Sequence, residues 1–448
     1  MNLTEPSLLT DIDKMFTITL TDIDKIIAAF HAEMKQGLDG QESSLKMLPA
    51  FTQLPTGNEK GHFIALDLGG THFRVLHVNL LGDGKSQVEH SNKYVLPKPV
   101  IQGTGVELFN FIANSIKDSF IQNNIDFNEK RDLGFTFSFP VEQIDIANGI
   151  LITWTKAFTA SGVEGKNVVT LLEDALKHCG VNNIRVAALA NDTVGTIVAK
   201  SYQDLNCSMG IIFGTGTNAC YNEKMINISK LKGFQSENMV VNMEWGNFNK
   251  LPITPYDKLL DKGTLNQGKQ RLEKMISGMY LGEMVRLILS DLIEQKIIFA
   301  NCKGKLIKND FGTKYMTLVE LDTTENLDEI NEYLSTVGLH HATFDDRKLL
   351  KRVCTIVSNR AATLSSVAIS AVISWMDPQL QKNHTIAIDG SLYEKYPHFK
   401  NTILHTLGLI YKDNSEKIKL SLAKDGSGIG VAIVASVAAS ANDRSAHE

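Results

Sequence analysis

Four short turns in the sequence combine glycine with Asp, Thr or Ser, which are residue types suited to binding a phosphate group. They lie at residues 67–71, 214–218, 389–391 and 425–430. A backbone without a Cβ can approach a phosphate closely and direct its N–H groups at the phosphate oxygens. A single turn of this kind is usually structural. Four of them in one chain favour a ligand that contains phosphate.

Two familiar nucleotide-binding signatures are incomplete in this chain. Residues 84–86 match the end of a P-loop, but Asn79 occupies the position of the first glycine of that motif. Residues 214–219 fit the looser form of the dinucleotide fingerprint, but a strand-like segment follows them where that fingerprint needs a helix. The sequence therefore indicates that phosphates are held in another way.

Polar residues also end two apolar runs that are typical of strands. Asn191 and Asp192 follow the run 186–190, and Ser138 lies near the end of the run 133–139. The ordinary interpretation of Asn191 and Asp192 is a helix N-cap, and that of Ser138 is a strand end. From these residues alone, the N-cap is the favoured interpretation.

Two hairpins of the same design position the first two glycine turns. Apolar runs at 63–66 and 73–80 flank the first turn, and runs at 209–213 and 219–221 flank the second. One design used twice suggests a duplicated domain. Short apolar runs alternate with helical patterns through the chain, which is typical of α/β layers.

The composition limits the class of protein. A length of 448 residues favours two domains, and 43% hydrophobic with 21% charged residues is typical of a soluble globular chain. The 45 Lys and Arg against 50 Asp and Glu give a net charge of −5, which argues against nucleic acid or an anionic membrane as a partner. Five scattered cysteines show no zinc-site spacing and favour a reducing cytoplasmic location. We find no pattern of a signal or transit peptide, and we expect no apolar stretch long enough to span a membrane.

Taken together, the motifs resemble those of the hexokinase family, and they occur in the family's order from about residue 63 to residue 430. The segments that carry the resemblance are LDLGGTHFRV (66–75), FTFSFP (135–140), WTK (154–156), NDT (191–193), GTGTN (214–218), EWG (244–246) and DGS (389–391). The resemblance implies the α/β fold of the sugar kinase, actin and heat-shock chaperone group, which has a ribonuclease H-like architecture. In that fold, two related domains surround a deep cleft.

The resemblance also implies a division of the chain into domains. The small domain is expected at residues 62–192, with a C-terminal helix at 431–445 docked on it. The large domain is expected at residues 1–61 and 193–430. Segments at 251–257 and 422–426 are most similar to fungal-type hexokinases and glucokinases.

For the hexose, the resemblance implies a set of hydrogen-bonding residues contributed by both domains. Within that set, Asp192 is the implied general base, and Lys156 also stabilises charge near the reacting oxygen. The implied hexose-binding residues are Ser138, Thr155, Lys156, Asn191, Asp192, Asn218, Glu244 and Glu273.

For the nucleotide, the resemblance implies that ATP is the substrate and Mg²⁺ the cofactor, with Asp67 binding Mg²⁺ through water. The Gly426 turn opens a helix whose N-terminal N–H groups favour anions. The implied nucleotide-binding residues are Asp67, Gly69, Gly70, Thr71, Gly214, Thr215, Gly216, Thr313, Asp389, Ser391 and Gly426.

The implied activity is transfer of the γ-phosphoryl group of ATP to the 6-hydroxyl of glucose, mannose or fructose, the first step of glycolysis. A monomer or a homodimer is expected. Two alternatives are a catalytically silent glucose sensor on the same fold and an ATPase similar to actin or chaperones. Three residues depart from the family pattern without removing an assigned group, namely His72, Ala157 and Asn247.

Overall fold

The computed structural model describes residues 7–70, 72–126, 129–155, 158–234, 236–302, 306, 311–424 and 426–445, with side chains described as far as residue 440. Within these residues the helices are α1 (Ser7–Phe16), α2 (Leu20–Leu38), α3 (Lys98–Gln102), α4 (Gly105–Gln122), α5 (Val168–His178), α6 (Asp192–Gln203), α7 (Pro255–Lys262), α8 (Arg271–Ile276), α9 (Gly278–Glu294), α10 (Thr313–Leu321), α11 (Asp328–Thr336), α12 (Phe344–Met376), α13 (Ser391–Lys395), α14 (Phe399–Tyr411) and α15 (Gly426–Ser445). The strands are β1 (Leu48–Pro49), β2 (Lys60–Leu68), β3 (His72–Gly82), β4 (Lys85–Val95), β5 (Arg131–Phe137), β6 (Val141–Asp145), β7 (Asn148–Leu151), β8 (Ile184–Ala190), β9 (Cys207–Phe213), β10 (Thr217–Lys224), β11 (Asn238–Asn242), β12 (His384–Asp389) and β13 (Ile418–Leu422).

Two sheets in the described residues share one topology. The smaller sheet has the strand order β4-β3-β2-β5-β8, with β2, β3 and β4 antiparallel and with β5 and β8 parallel to β2. The larger sheet has the order β1-β11-β10-β9-β12-β13, with β9, β10 and β11 antiparallel and with β12 and β13 parallel to β9. Each sheet therefore repeats three antiparallel strands followed by two parallel ones, and β1 is an added edge strand. The prediction of two related α/β domains is confirmed.

The hairpins place two glycine turns at equivalent positions in the two sheets. The first turn connects β2 to β3, and the second connects β9 to β10. The third turn lies where β12 ends at Asp389 and α13 begins at Ser391. In the fourth turn the helix already begins at Gly426, so the glycines form the first turn of α15 rather than a loop before it.

Helices α6 and α15 lie between the two sheets. Helix α6 packs on β9, β10 and β12 of the larger sheet, whereas α15 packs on β2, β5 and β8 of the smaller one, and the two helices contact each other. Glycine residues in the strands allow both helices to pack closely on their sheets. A Cβ built on Gly134 of β5 would lie 2.1 Å from the carbonyl oxygen of Val431, and one on Gly210 of β9 would lie 2.8 Å from Thr193 O. At these two positions the backbones of helix and strand are therefore in close contact.

The apolar core has three parts within the described residues. The largest lies under the larger sheet with α2, α9 and α12. A second lies between the smaller sheet and α4 and α5. The third surrounds α6 and α15 between the sheets. The central strands of each sheet are therefore covered on both faces, whereas the edge strand β4 has no buried residue.

Helix α12 is long and apolar enough, by length and composition, to cross a membrane, so the expectation that no stretch approaches that length is wrong on this measure. Its most apolar window is 89% buried inside the protein, as in a central core helix. The sequence pattern indicates a long helix at residues 347–375, in which polar residues such as Ser365, Ser366 and Ser370 interrupt the apolar run. Their hydroxyls are buried among the helices.

Candidate active site

Asn218 and Glu244 face each other at the end of the β10/β11 ladder. Cys220 pairs with Asn242 in this antiparallel ladder, and two further residues along the chains bring Asn218 opposite Glu244. Asn218 Nδ2 donates a hydrogen bond to Glu244 Oε1 at 3.1 Å. Because side chains alternate along a strand, Asn218 shares the face of Cys220, whose Sγ donates to the carbonyl oxygen of Thr193. This face therefore looks toward the start of α6.

Asn191 and Asp192 lie at the N-terminus of α6, directly after β8. Asn191 Oδ1 caps the helix by accepting hydrogen bonds from the N–H and the hydroxyl of Thr193 at 3.0 and 2.9 Å. The N-cap interpretation is therefore confirmed. Asp192 Oδ1 also accepts a bond from Thr193 N at 2.9 Å. Since Asn191 Oδ1 lies 3.5 Å from Asn218 Nδ2, the start of α6 joins the polar cluster on β10.

Glu244 has an unusual electrostatic and backbone environment. Burial is the main cause that raises the pKa of its carboxyl group, and the charge of Asp192 raises it further. Hydrogen bonds from Asn242 and Asn218 and the charge of Lys46 act in the opposite direction. The backbone of Glu244 has a φ of 53°, a left-handed conformation that is uncommon for non-glycine residues.

Glu273 approaches the same cluster from α8. Its Oε2 accepts a hydrogen bond from Thr217 N at 3.0 Å, one residue before Asn218. A Cβ built on Gly216 would lie only 2.8 Å from this oxygen. Packing against Glu273 therefore favours glycine at position 216, in addition to any contact with phosphate. The next residue, Lys274, is buried, and its ammonium contacts Asp261 at 2.6 Å.

A cavity at this cluster is lined by both sheets and by the loops next to them. Its lining includes Phe137, Pro140, Asn191, Asn242, Glu244 and Gln270. Ser138 follows Phe137 and is buried, with its N–H bonded to Leu68 O at 3.2 Å. Thr155 is exposed in the loop after β7 and does not line the cavity. Lys156, the next residue, lies outside the described residues.

Asp67 lies near the end of β2 and is held by two side chains. Its Oδ2 accepts hydrogen bonds from Arg74 Nη2 at 2.6 Å and from Ser427 Oγ at 3.1 Å. Asp67 and Arg74 are direct partners in the β2/β3 register. Ser427 follows Gly426 in the first turn of α15, so these contacts join the first glycine turn to the fourth.

The second glycine turn is bound to the start of α9. Gly278 N donates to Gly214 O at 2.9 Å, and Met279 N donates to Thr215 O at 3.0 Å. Thr313, the first residue of α10, donates its hydroxyl hydrogen bond to Gly278 O. Thr313 therefore lies beside the turn that contains Gly214 and Thr215, although its flanking sequence carries little signal.

The third turn packs directly on the second. Gly390 has a φ of 118°, and a Cβ on it would lie 2.2 Å from the carbonyl oxygen of Phe213. Asp389 Oδ1 accepts the N–H of Gly390 at 2.6 Å, and the exposed Ser391 begins α13. Only glycine can combine this backbone conformation with this approach. The second and third turns therefore form one surface.

The glycines of the first turn have more free space around them than those of the second and third turns. No protein heavy atom lies within 4 Å of a Cβ built on Gly69 or Gly70, so packing within the described residues does not require glycine there. Thr71 and Asp425 lie outside the described residues. Gly426 approaches α6, since a Cβ on it would lie 3.3 Å from Thr196 Cα. The fourth turn is thus partly an interhelical contact.

Asp67 is the carboxylate next to the glycine turns that could bind Mg²⁺. The described residues contain no group of three or more His, Cys, Asp or Glu that could hold a metal ion. Mg²⁺ keeps several waters and is commonly bound by one or two carboxylates together with substrate phosphates. Asp67 is a single carboxylate beside the glycine turns, so it fits this reduced ligand set.

Four residues near the site were missed by the sequence reasoning. Arg74 lay within a quoted motif, and its register opposite Asp67 was a usable signal. Ser427 and Gln270 lay one and three residues from assigned positions. Asn242 is the last residue of β11 and lies two residues before Glu244. Asn247, noted only as a departure, accepts the N–H of Gln270 at 3.0 Å.

The sheet topology and the cleft between the sheets define the class of sugar kinase folds. A ROK hexokinase from Thermus thermophilus has the same fold, with a TM-score of 0.52 at 15% identity over 85% of this chain and 100% of that one. The chain belongs to the hexokinase family, since family models described as hexokinase match residues 8–202 and 208–437. The predicted family is therefore confirmed.

Individual relatives agree with this assignment. Human hexokinase-1 is 42% identical over 94% of this chain and 47% of its own length, so this chain spans about half of that relative. Hexokinase-7 from Oryza sativa subsp. japonica is 42% identical over 92% of this chain and 93% of that one. A hexokinase from Schistosoma mansoni, solved in complex with glucose, has a TM-score of 0.85 at 36% identity and covers 96% of this chain and 98% of that one.

Proposed function

We propose that this protein transfers the γ-phosphoryl group of ATP to the 6-hydroxyl of D-glucose and related hexoses, giving hexose 6-phosphate and ADP. The observation that carries the proposal is the convergence of Asn191, Asp192, Asn218 and Glu244 in one polar cluster. Two of its members, Asn191 and Glu244, line a cavity between the two sheets. Carboxylates and amides suit a hexose because they form hydrogen bonds with vicinal hydroxyls. The glucose complex of the Schistosoma mansoni relative supports the same ligand.

In the proposed reaction, Asp192 accepts the proton of the 6-hydroxyl while the oxygen of that hydroxyl attacks the γ-phosphorus. The bond between that phosphorus and the β–γ bridging oxygen breaks, and ADP leaves. Asn218, Glu244 and Glu273 hold the other hydroxyls, so the reacting oxygen is oriented before transfer. Asp192 begins α6, whose N-cap Asn191 is fixed by Thr193, and this rigid support limits the positions of the base.

On the nucleotide side, backbone N–H groups of the first two glycine turns are proposed to bind the phosphates. The third turn, with Asp389 and Ser391, and the start of α15 complete that side. Mg²⁺, when bound with ATP near Asp67, neutralises charge on the phosphate oxygens. Lys156 is proposed to stabilise charge near the reacting oxygen, on the basis of the family resemblance.

The direct test is a coupled assay of the purified protein with ATP and glucose, mannose, fructose or galactose, with Asp192→Asn as a matched control. We expect ADP production that depends on glucose and Mg²⁺ and is strongly reduced in the variant. A protein that binds glucose but produces no ADP with any hexose would instead be the silent sensor. Hydrolysis of ATP that no hexose stimulates would favour the ATPase alternative.

We also propose a cytoplasmic location and a monomeric or homodimeric state. All five cysteines are free, which supports a reducing compartment. Cell fractionation and analytical ultracentrifugation test the two statements separately. Recovery of the protein in a membrane fraction, or a larger assembly, would contradict them.

A further inference from the structure

Asn242 lies between two of the proposed hexose-binding residues, and the family resemblance assigned it no role. It is the last residue of β11 and is 8% exposed. Its Oδ1 accepts a hydrogen bond from Asn218 Nδ2 at 2.8 Å, and its Nδ2 donates to Glu244 Oε1 at 2.9 Å. Both the oxygen and the nitrogen of the Asn242 amide are therefore hydrogen-bonded to side chains of the cluster.

The surroundings fix the orientation of the Asn242 amide. A flipped amide would place Oδ1 against the Glu244 carboxylate and Nδ2 against the Nδ2 of Asn218. Both contacts would then pair two acceptors or two donors. Such unpaired groups are costly at a buried position. The amide therefore has one favourable orientation. Through its two hydrogen bonds, it also fixes the side chains of Asn218 and Glu244.

As a consequence, the two carboxylate oxygens of Glu244 differ in their hydrogen-bond partners. Oε1 accepts hydrogen bonds from the amides of both Asn218 and Asn242. No described residue donates a hydrogen bond to Oε2. Because Glu244 lines the cavity, Oε2 is the oxygen left for a hydroxyl of the ligand. Rotation of the carboxylate away from this position would break both hydrogen bonds at once.

We propose that Asn242 is a positioning residue for hexose binding, which fixes the Glu244 carboxylate and the Asn218 amide in the geometry that accepts the sugar. This inference rests on the proposed function. Asn242 acts through its neighbours, so it is not a catalytic residue. Its loss should affect the hexose side of the cleft and leave the nucleotide side intact.

The hydrogen bond from Asn242 also acts on the charge of Glu244. Burial and Asp192 on α6 raise the pKa of Glu244, whereas Asn242, Asn218 and Lys46 lower it. The charged carboxylate is the form that accepts a sugar hydroxyl, so affinity is lost as the pH falls through this pKa. Removal of the Asn242 bond raises the pKa further. The acidic loss of glucose affinity should then begin at a higher pH.

The test is calorimetric titration of the full-length protein with glucose across a range of pH, with Asn242→Leu and Asn242→Asp. The Leu variant has similar volume without either hydrogen-bonding group. The Asp variant keeps the acceptor for Asn218 but places a second carboxylate against Glu244, and it provides an independent test if the Leu variant does not fold. We expect glucose affinity to fall about 10- to 100-fold in both variants, which corresponds to losing a hydrogen bond to a charged group.

A matched control is Asn222→Leu, on the same face of β10. Asn222 pairs with Val240, and its buried Oδ1 has no partner in the described residues. We expect this variant to keep the glucose affinity and pH profile of the unmodified protein. In the Asn242 variants, the acidic limb of glucose affinity should move to higher pH, while the KM for MgATP stays unchanged.

Two results would overturn the inference while leaving the proposed function intact. One is an Asn242→Leu protein that is folded by circular dichroism and binds glucose with unchanged affinity and pH dependence. The other is a uniform loss at every pH with the acidic limb unmoved, which would indicate a packing defect alone. Failure of the unmodified protein to bind glucose would instead contradict the proposed function itself.

Discussion

Gly195 of α6 and Gly430 of α15 meet backbone to backbone, and a Cβ built on Gly430 would lie 1.9 Å from the carbonyl oxygen of Gly195. Helix α6 begins at Asp192, the proposed base. Helix α15 carries Ser427 in its first turn, and Ser427 bonds Asp67. The crossing of the two helices therefore relates the hexose side of the cleft to the nucleotide side, because each helix packs on a different sheet.

This contact predicts a large cost for Gly430→Ala. The added methyl group has no room, and overpacking of this kind typically costs about 1–3 kcal/mol or more. Gly408→Ala in α14 is the matched control, because no heavy atom lies within 4 Å of its added Cβ. Alanine is favoured over glycine in a helix by about 1 kcal/mol, so the control should be neutral or stabilised. Urea denaturation measures both, and equal stability of the two variants would contradict the crossing.

The sequence predicted the local parts of this site better than its long-range contacts. The glycine turns, the two hairpins and the start of α6 follow from residues that are near each other in the chain. The bond between Asp67 and Ser427 joins residues 360 positions apart, and no local pattern encodes it. The small residues at Gly195 and Gly430 gave no sign that two helices cross there. Such contacts depend on how the sheets pack, which periodicity does not specify.

Buried polar residues in strands were the other failure of sequence reasoning. Asn242 was passed over because it belongs to no quoted motif and lies in an apolar strand. A polar side chain in such a strand is itself a signal, because burial without a partner is costly.

Asp67→Asn should impair the use of MgATP and spare glucose binding. The amide keeps the shape of the side chain but removes the charge that pairs with Arg74 at 2.6 Å and that is proposed to act near Mg²⁺. We expect kcat/KM for MgATP to fall about tenfold or more, as for loss of a charged hydrogen bond. Initial rates at varied MgATP and calorimetry with glucose separate the two ligands.

The matched control for that change is Asp132→Asn. Asp132 also lies on the smaller sheet and pairs with an arginine, since Arg185 Nε contacts it at 2.9 Å. This pair is partly exposed at the opposite end of the strands, so its loss should leave the kinetics unchanged. If Asp67→Asn weakens glucose and MgATP equally, the nucleotide assignment of Asp67 is wrong.

Thr215→Val should weaken MgATP use more than glucose binding. The side chain of Thr215 is exposed, and its carbonyl oxygen keeps the bond from Met279 N whatever the side chain. Valine preserves the branched shape, so only the hydroxyl is removed. We expect the KM for MgATP to rise about 3- to 10-fold, as for loss of one neutral hydrogen bond. Thr355→Val on α12 is a control, and equal loss of both affinities would point to a folding defect.

Asp192→Ala should lower kcat far more than it weakens glucose binding. The proposed base is needed only for proton transfer, whereas Asn191, Asn218 and Glu244 are expected to hold the sugar without it. Removal of a general base typically costs about 10²–10⁴ in rate, and loss of one charged hydrogen bond costs about 1.5–3 kcal/mol in binding. Coupled assays give kcat, and calorimetry with glucose gives the affinity.

Asp192→Asn and Asp204→Asn make this test specific to the base. The first change keeps a side-chain oxygen that can accept the N–H of Thr193, as Asp192 Oδ1 does at 2.9 Å, so the start of α6 stays formed without a base. The second removes a carboxylate at the other end of the same helix, where Asp204 Oδ2 accepts the hydroxyl of Thr385 at 2.8 Å, and it should leave kcat nearly unchanged. A folded Asp192→Ala protein that keeps more than about a tenth of the original kcat lies outside the range for a general base. The proton acceptor would then have to be a group other than Asp192.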